Sequence, residues 1–160
     1  MILNLVLDIG NSRTKAAIFS KGEMVGSSVF TDLSVKELKK LVEGFPGTEK
    51  VILSSVASVP NEVGEYLENS FSTCLVLNSQ TPVPIAIGYL TPETLGLDRI
   101  AAAVGARVLY PEMDLLVIDA GTAITYDLIE KNGVFPGGNI SPGLRSRFRA
   151  LNEYTQIFRW

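Results

Sequence analysis

Two aspartates, Asp8 and Asp119, each stand at the end of an aliphatic run and two residues before a glycine. The first run continues as Asp8-Ile9-Gly10-Asn11-Ser12-Arg13-Thr14-Lys15, and the second as Asp119-Ala120-Gly121-Thr122-Ala123-Ile124-Thr125. A carboxylate ahead of a tight glycine turn suits a magnesium ion shared with phosphate oxygens, because Mg²⁺ takes few carboxylates and keeps its other positions for phosphate and water. The backbone N–H groups of such a turn form a concave anion site. Asn11, Ser12 and Thr14 add side-chain donors and Lys15 a positive charge, while Thr122 and Thr125 supply hydroxyls in the second copy. Each segment alone could equally be a hairpin whose polar residues satisfy turn geometry. Their repetition at a constant offset, with Leu5/Leu116, Val6/Val117, Asp8/Asp119, Gly10/Gly121 and Thr14/Thr125 matched, favours a phosphate chain held from two sides.

A third candidate is Gly96-Leu97-Asp98-Arg99, where a long loop runs into an alanine-rich helix. An aspartate in a first helical turn is favoured by the helix dipole. It could also take a proton from a substrate hydroxyl, and the arginine could bind a carboxylate as a planar fork. Asp127, two residues past Thr125 on the same strand face, reads either as support for a cation or as a solvated strand residue.

Composition narrows the chemistry. The chain has 160 residues, 46% apolar and 19% charged, with a net charge of −3, which is ordinary globular composition. No general attraction to nucleic acid or anionic membrane follows from that charge. The arginines of Arg145-Ser146-Arg147-Phe148-Arg149 read as a solvated helix face. There is no histidine, which excludes Ser-His and Cys-His catalysis and imidazole-based zinc sites. The one cysteine, Cys74, lies in an apolar run, reads as packing, and fits a reducing compartment. The N-terminal run carries Asn4 and Asp8 and no basic leader, so no signal peptide is expected, and a cytoplasmic location is.

The elements that must position these residues follow from hydrophobic period and turn residues. Strands are expected at Ile2 to Leu7, Thr14 to Phe19 and Met24 to Thr31, with Lys21-Gly22 as the turn between the second and third. Ser34-Val35-Lys36-Glu37 has capping-box spacing and opens a helix to about Glu43. A strand at Val51 to Ser55, a helix from Pro60 to about Asn69 and a strand at Thr73 to Leu77 complete a β-β-β-α-β-α-β order. That order and the lack of GxGxxG argue against a nicotinamide enzyme. Residues 78 to 98 form a long loop, of the kind that is usually functional. A helix from Leu97 to Tyr110, strands from Asp114 to Ile140 and a last helix from Leu144 to about Asn152 follow.

With these residues in place the chain resembles a type III pantothenate kinase, of the acetate/sugar-kinase, heat-shock-chaperone and actin superfamily. The resemblance spans residues 2 to about 155. It rests on Asp8-Ile9-Gly10-Asn11-Ser12, on Tyr89 followed by Gly96-Leu97-Asp98-Arg99, on the Asp119 to Thr125 segment, and on Gly137-Gly138-Asn139-Ile140-Ser141-Pro142-Gly143-Leu144. It implies an α/β fold of the actin-like ATPase or ribonuclease H-like class, a mixed sheet with flanking helices in a duplicated lobe. The first lobe would span 1–113, and 114–160 would open a second, incomplete lobe, with exposed apolar surface where further chain packs. The resemblance implies ATP-dependent phosphorylation of pantothenate, the first step toward coenzyme A. Asp8, Ile9, Gly10, Asn11, Ser12, Arg13, Thr14, Lys15 and Thr122 would bind ATP, with Asp8 holding Mg²⁺, directly or through water. Tyr89, Gly96, Leu97, Asp98 and Arg99 would bind pantothenate, with Asp98 as proton acceptor. Asp119 would bind a monovalent cation, K⁺ or NH₄⁺. The full-length family would form homodimers, with no nucleic-acid or membrane partner. The alternatives are a catalytically impaired regulatory protein on the same fold, or another phosphotransferase of the superfamily.

Overall fold

The computed structural model describes residues 2–10 and 13–155. Two compact units divide it, residues 1–78 and 79–160. The long loop and the helix after it therefore group with the second hairpin, and the boundary falls well before the expected 113/114. The reason is packing: residues of the loop and of that helix share one hydrophobic cluster with residues of the later strands, namely Ile85, Leu95, Ile100, Ala103, Ile129 and Phe135.

In the first unit, β1 (Leu3–Ile9), β2 (Thr14–Ser20) and β3 (Glu23–Phe30) form an antiparallel meander, and β4 (Thr48–Ser55) and β5 (Thr73–Val76) extend it in parallel on the β1 side. The sheet order is β3-β2-β1-β4-β5. Alternation along β1 buries Leu3, Leu5, Leu7 and Ile9, and the same period on β2 buries Thr14, Ala16 and Ile18. These side chains pack with Leu38 of α1 (Val35–Glu43) and with Val63 and Leu67 of α2 (Asn61–Ser70). Cys74 is half-buried against this cluster, and burial pushes its thiol pKa up, as expected of a packing residue.

The N-cap half of the expected capping box is built, and Glu37 returns to the Ser34 hydroxyl instead of its backbone N–H. Ser34 Oγ accepts from the Glu37 N–H at 3.3 Å and donates to Glu37 Oε2 at 3.2 Å. Gly44 ends α1. α2 begins after Pro60, whose fixed φ suits a helix entry.

In the second unit, β6 (Ala86–Ile87) breaks the expected loop and pairs in parallel with β9 (Val134–Phe135). A 3₁₀ turn at Pro92–Thr94 follows. Then come α3 (Leu97–Leu109), β7 (Leu115–Ala120), β8 (Ala123–Ile129), β10 (Gly137–Pro142) and α4 (Leu144–Tyr154). β8 is the central strand of an antiparallel β10-β8-β7 sheet. Of the alanines in α3 only Ala103 is fully buried, and Ala101 is exposed. On the sheet face opposite Val117 and Asp127, Leu116, Ile118 and Leu128 are each more than half exposed. This is an exposed aliphatic surface. The arginines of α4 are exposed as expected. No helix among the described residues is long and apolar enough to cross a membrane.

Ser34→Ala removes the helix cap and is expected to cost about 1 kcal/mol, read as a lower denaturation midpoint. In the second unit a Cβ at Gly138 would collide with the Tyr126 carbonyl on the paired strand, whereas one at Gly105 in α3 would meet open space. Gly138→Ala is therefore expected to destabilise by about 1–3 kcal/mol through overpacking. Gly105→Ala is expected to stabilise by up to about 1 kcal/mol through helix propensity. Equal effects of the two glycine variants in the same denaturation series would contradict the packing described.

Candidate active site

The first hairpin places Asp8 opposite Lys15, and Ile9 opposite Thr14. On its other side Asp8 lies in register with Ser54 of β4. Because side chains alternate along a strand, Asp8, Lys15 and Ser54 share the face turned away from α1 and α2. Ser54 Oγ is buried and lacks a hydrogen-bond partner among the described residues, so β4 brings a hydroxyl to the Asp8 neighbourhood that the hairpin motif alone did not reveal. Gly10 N–H donates to the Arg13 carbonyl at 3.0 Å and closes the turn. A Cβ on Gly10 would lie 3.1 Å from that carbonyl oxygen, which accounts for the glycine. Ile9 and Thr14 belong to the opposite, helix-covered face and are 5% and 4% exposed. Their side chains are core, so the expected Thr14 hydroxyl does not join Asp8 and Lys15. Arg13 is exposed. Asn11 and Ser12 lie outside the described residues.

The second hairpin is built like the first but is one residue tighter. Asp119 stands opposite Thr125, and Gly121 N–H donates to the Ala123 carbonyl at 2.8 Å. The cross-strand partner of the aspartate is thus Lys15 in one copy and Thr125 in the other. The Thr14/Thr125 identity in the repeat is accordingly not a structural equivalence. Asp119 and Thr122 are exposed. The Thr122 carbonyl accepts from the Gly143 N–H at 2.8 Å and from Ser146 Oγ at 2.9 Å. A Cβ on Gly143 would strike the Gly121 and Thr122 carbonyls. Only glycine lets the start of α4 close on this turn.

The third cluster is the most constrained. Gly96 caps α3, and a Cβ there would collide with the Asp98 carboxylate. Asp98 is exposed, and its Oδ1 accepts the Arg99 N–H at 2.9 Å. This tether holds the carboxylate at the helix start, where the dipole favours negative charge. Leu97 packs into the hydrophobic cluster of this unit. Arg99 turns inward and is 6% exposed. Its Nε donates to both oxygens of Asp127, at 2.9 and 3.2 Å, and its Nη2 donates to Oδ1. Asp127 is completely buried on β8. It is neither a cation support nor a solvated residue, because a buried guanidinium needs a paired carboxylate. That hydrogen bond holds the Arg99 pKa above its ordinary value in spite of burial. The Arg99 Cζ also lies 5.9 Å from the centre of the Tyr89 ring, within cation–π range.

The Gly137-Gly138 pair completes the cluster. Gly137 has φ +129°, and a Cβ on it would lie 2.9 Å from the Tyr89 ring. Gly138 pairs with Asp127 across the sheet, and a Cβ there would lie 2.6 Å from Asp127 Oδ1. The two glycines thus make room for the two groups that flank Arg99. Among the described residues, no group of three or more His, Cys, Asp or Glu side chains is placed to hold a metal ion. Asp8 and Asp119 each offer a single carboxylate, a donor set that fits a cation held mainly by phosphate oxygens and water.

The sequence profile of the type III pantothenate kinase family matches residues 4–159. The type III pantothenate kinase of Phocaeicola vulgatus is 46% identical over 153 residues, 96% of this chain and 63% of that protein. Its counterpart in Christiangramia forsetii is 42% identical over 96% of this chain and again 63% of the relative. The chain thus spans less than two thirds of the length of these relatives. Among solved structures, a Campylobacter jejuni protein described as a Baf family transcriptional activator is 26% identical with a TM-score of 0.52, covering 95% of this chain and 61% of that one. Component A of (R)-2-hydroxyglutaryl-CoA dehydratase from Acidaminococcus fermentans has a TM-score of 0.55 at 15% identity, over 96% of this chain and 54% of that one. This second likeness speaks for the fold alone, a mixed α/β fold. By the match over nearly its whole length, the chain belongs to the type III pantothenate kinase family.

Proposed function

We propose that this chain carries residues for ATP-dependent phosphorylation of pantothenate to 4′-phosphopantothenate, the first step of coenzyme A biosynthesis. The observation that carries the reading is the start of α3. There an exposed Asp98 carboxylate is tethered beside a buried, charged guanidinium that lies next to the Tyr89 ring. This pairs a proton acceptor with a fixed positive charge, as a substrate with a primary hydroxyl and a carboxylate requires.

In this reading Tyr89, Gly96, Leu97, Asp98 and Arg99 form the pantothenate site. Arg99 commits Nε and one N–H of Nη2 to Asp127, Tyr89 also bonds to the guanidinium, and the N–H groups left over meet the pantothenate carboxylate. Asp98 takes the proton as the substrate oxygen bonds to the γ-phosphorus, and the bond to ADP breaks. Phosphoryl transfer depends on positioning and charge neutralisation, which is why a chain without histidine suffices. Asp8, Gly10, Asn11, Ser12, Arg13, Lys15 and Thr122 serve ATP, with Ile9 and Thr14 limited to backbone contact. Asp8 holds Mg²⁺, directly or through water, and Asp119 a monovalent cation, K⁺ or NH₄⁺. A cytoplasmic homodimer is the assembly that belongs to this reading.

The test is transfer of labelled γ-phosphate from ATP to pantothenate with Mg²⁺, in the presence and absence of K⁺. The expected result is K⁺-dependent phosphopantothenate. Phosphorylation of a sugar instead of pantothenate would move the chain to another phosphotransferase activity. Asp98→Asn is expected to lower kcat by about 10²–10⁴-fold, the usual worth of a general base, with ATP affinity unchanged. Near-normal turnover by that variant would remove Asp98 from the role of proton acceptor.

A further inference from the structure

We propose that Asp127 is a positioning residue for substrate recognition: from the buried centre of β8 it locks one edge of the Arg99 guanidinium, so that only the other edge is offered to a substrate carboxylate. The inference rests on the assignment of Arg99 to the pantothenate site.

Three independent features of the second unit support it. First, the contact is a fork, not a single bond. Arg99 Nε reaches both Asp127 oxygens, and Nη2 reaches Oδ1. Bidentate pairing fixes the plane of the guanidinium as well as its place. Second, both partners are withdrawn from water, Arg99 at 6% and Asp127 at 0% exposure. An apolar pair would fill that space at least as stably, so burial of two charges there needs another reason, and orientation of a charged group supplies one. Third, the surroundings hold the pair from two further sides. The Tyr89 ring lies beside the guanidinium. A Cβ at Gly137 would meet the Tyr89 ring, and one at Gly138 would meet the Asp127 carboxylate as well as the Tyr126 carbonyl. A fixed fork with one edge spent is a selective carboxylate receptor, because a free arginine would lose more conformational freedom on binding.

Asp127→Asn and Asp127→Glu should be compared with wild type in two measurements. The first is steady-state kinetics with each substrate varied. Asp127→Asn is expected to raise the KM for pantothenate at least 10-fold while the KM for ATP changes less than 2-fold, and Asp127→Glu to recover part of the loss. Both roles lower the amount of folded enzyme, but a purely structural one would leave both KM values of the folded fraction where they were. The second is exchange of the Arg99 Nε proton in ¹⁵N-arginine-labelled protein. Slow exchange in wild type and at least 10-fold faster exchange in folded Asp127→Asn would support the lock. Unchanged pantothenate KM, or equally fast exchange in both proteins, would overturn the proposal. Wild-type protein that does not phosphorylate pantothenate would overturn the functional reading instead, and the exchange measurement would still decide the lock.

Discussion

A positive charge has been taken out of water at the start of α3, and much of the second unit is arranged around that fact. A buried guanidinium demands a carboxylate of matching geometry. Asp127 supplies it from the central strand of the β10-β8-β7 sheet. That choice propagates to the neighbours. The carboxylate on β8 leaves no space for a side chain at Gly138 on the adjoining strand. The Tyr89 ring beside the guanidinium leaves none at Gly137. The glycine pair, the loop tyrosine and the helix start are far apart in sequence, and one ion pair makes them a single constellation. Loss of one partner would leave the other charge buried and unpaired, at a cost of about 3–5 kcal/mol.

The aspartate hairpins obey a simpler rule. Each puts a carboxylate at the end of a strand, next to a turn closed by a glycine N–H. In the first hairpin, strand alternation separates Asp8 and Lys15 from the hydrophobic side of the same two strands. The core therefore fixes the strands while their other face remains available for chemistry. The second hairpin keeps the aspartate and the glycine but shortens the turn by one residue, so Thr125 takes the place that Lys15 holds in the first. The two copies share a backbone device and differ in charge.

Much of this could be read from the residues alone. The meander, both crossover helices and the Ser34 cap follow from local patterns, because alternation, capping and turn chemistry act over a few residues. The glycine at each turn and the Gly96-to-Arg99 helix start were legible for the same reason. Asp127 was not. Nothing within a few residues of it distinguishes a buried carboxylate from a solvated one, since its partner arrives from a helix 28 positions away. The two-residue strands β6 and β9 were hidden likewise, because parallel pairing of such short segments leaves no periodicity. The alignment of Thr14 with Thr125 misled because a constant offset cannot register a turn shortened by one residue.

The Gly137-Gly138 pair shows how a motif can be specific before its physics is known. As sequence, it only marked the resemblance to a family. In the structure Gly137 answers to the Tyr89 ring, and Gly138 to the Tyr126 carbonyl and the Asp127 carboxylate, and Tyr89 and Asp127 lie against the same arginine. A side chain at Gly137 would press on the Tyr89 ring, and one at Gly138 on the Tyr126 carbonyl and the Asp127 carboxylate, so both positions reach Arg99 through its neighbours. The motif is therefore better understood as part of the arginine's housing than as a turn signal. Its spacing from Gly96-Leu97-Asp98-Arg99 is set by the chain needed to run through α3, β7 and β8 and return beside Asp127.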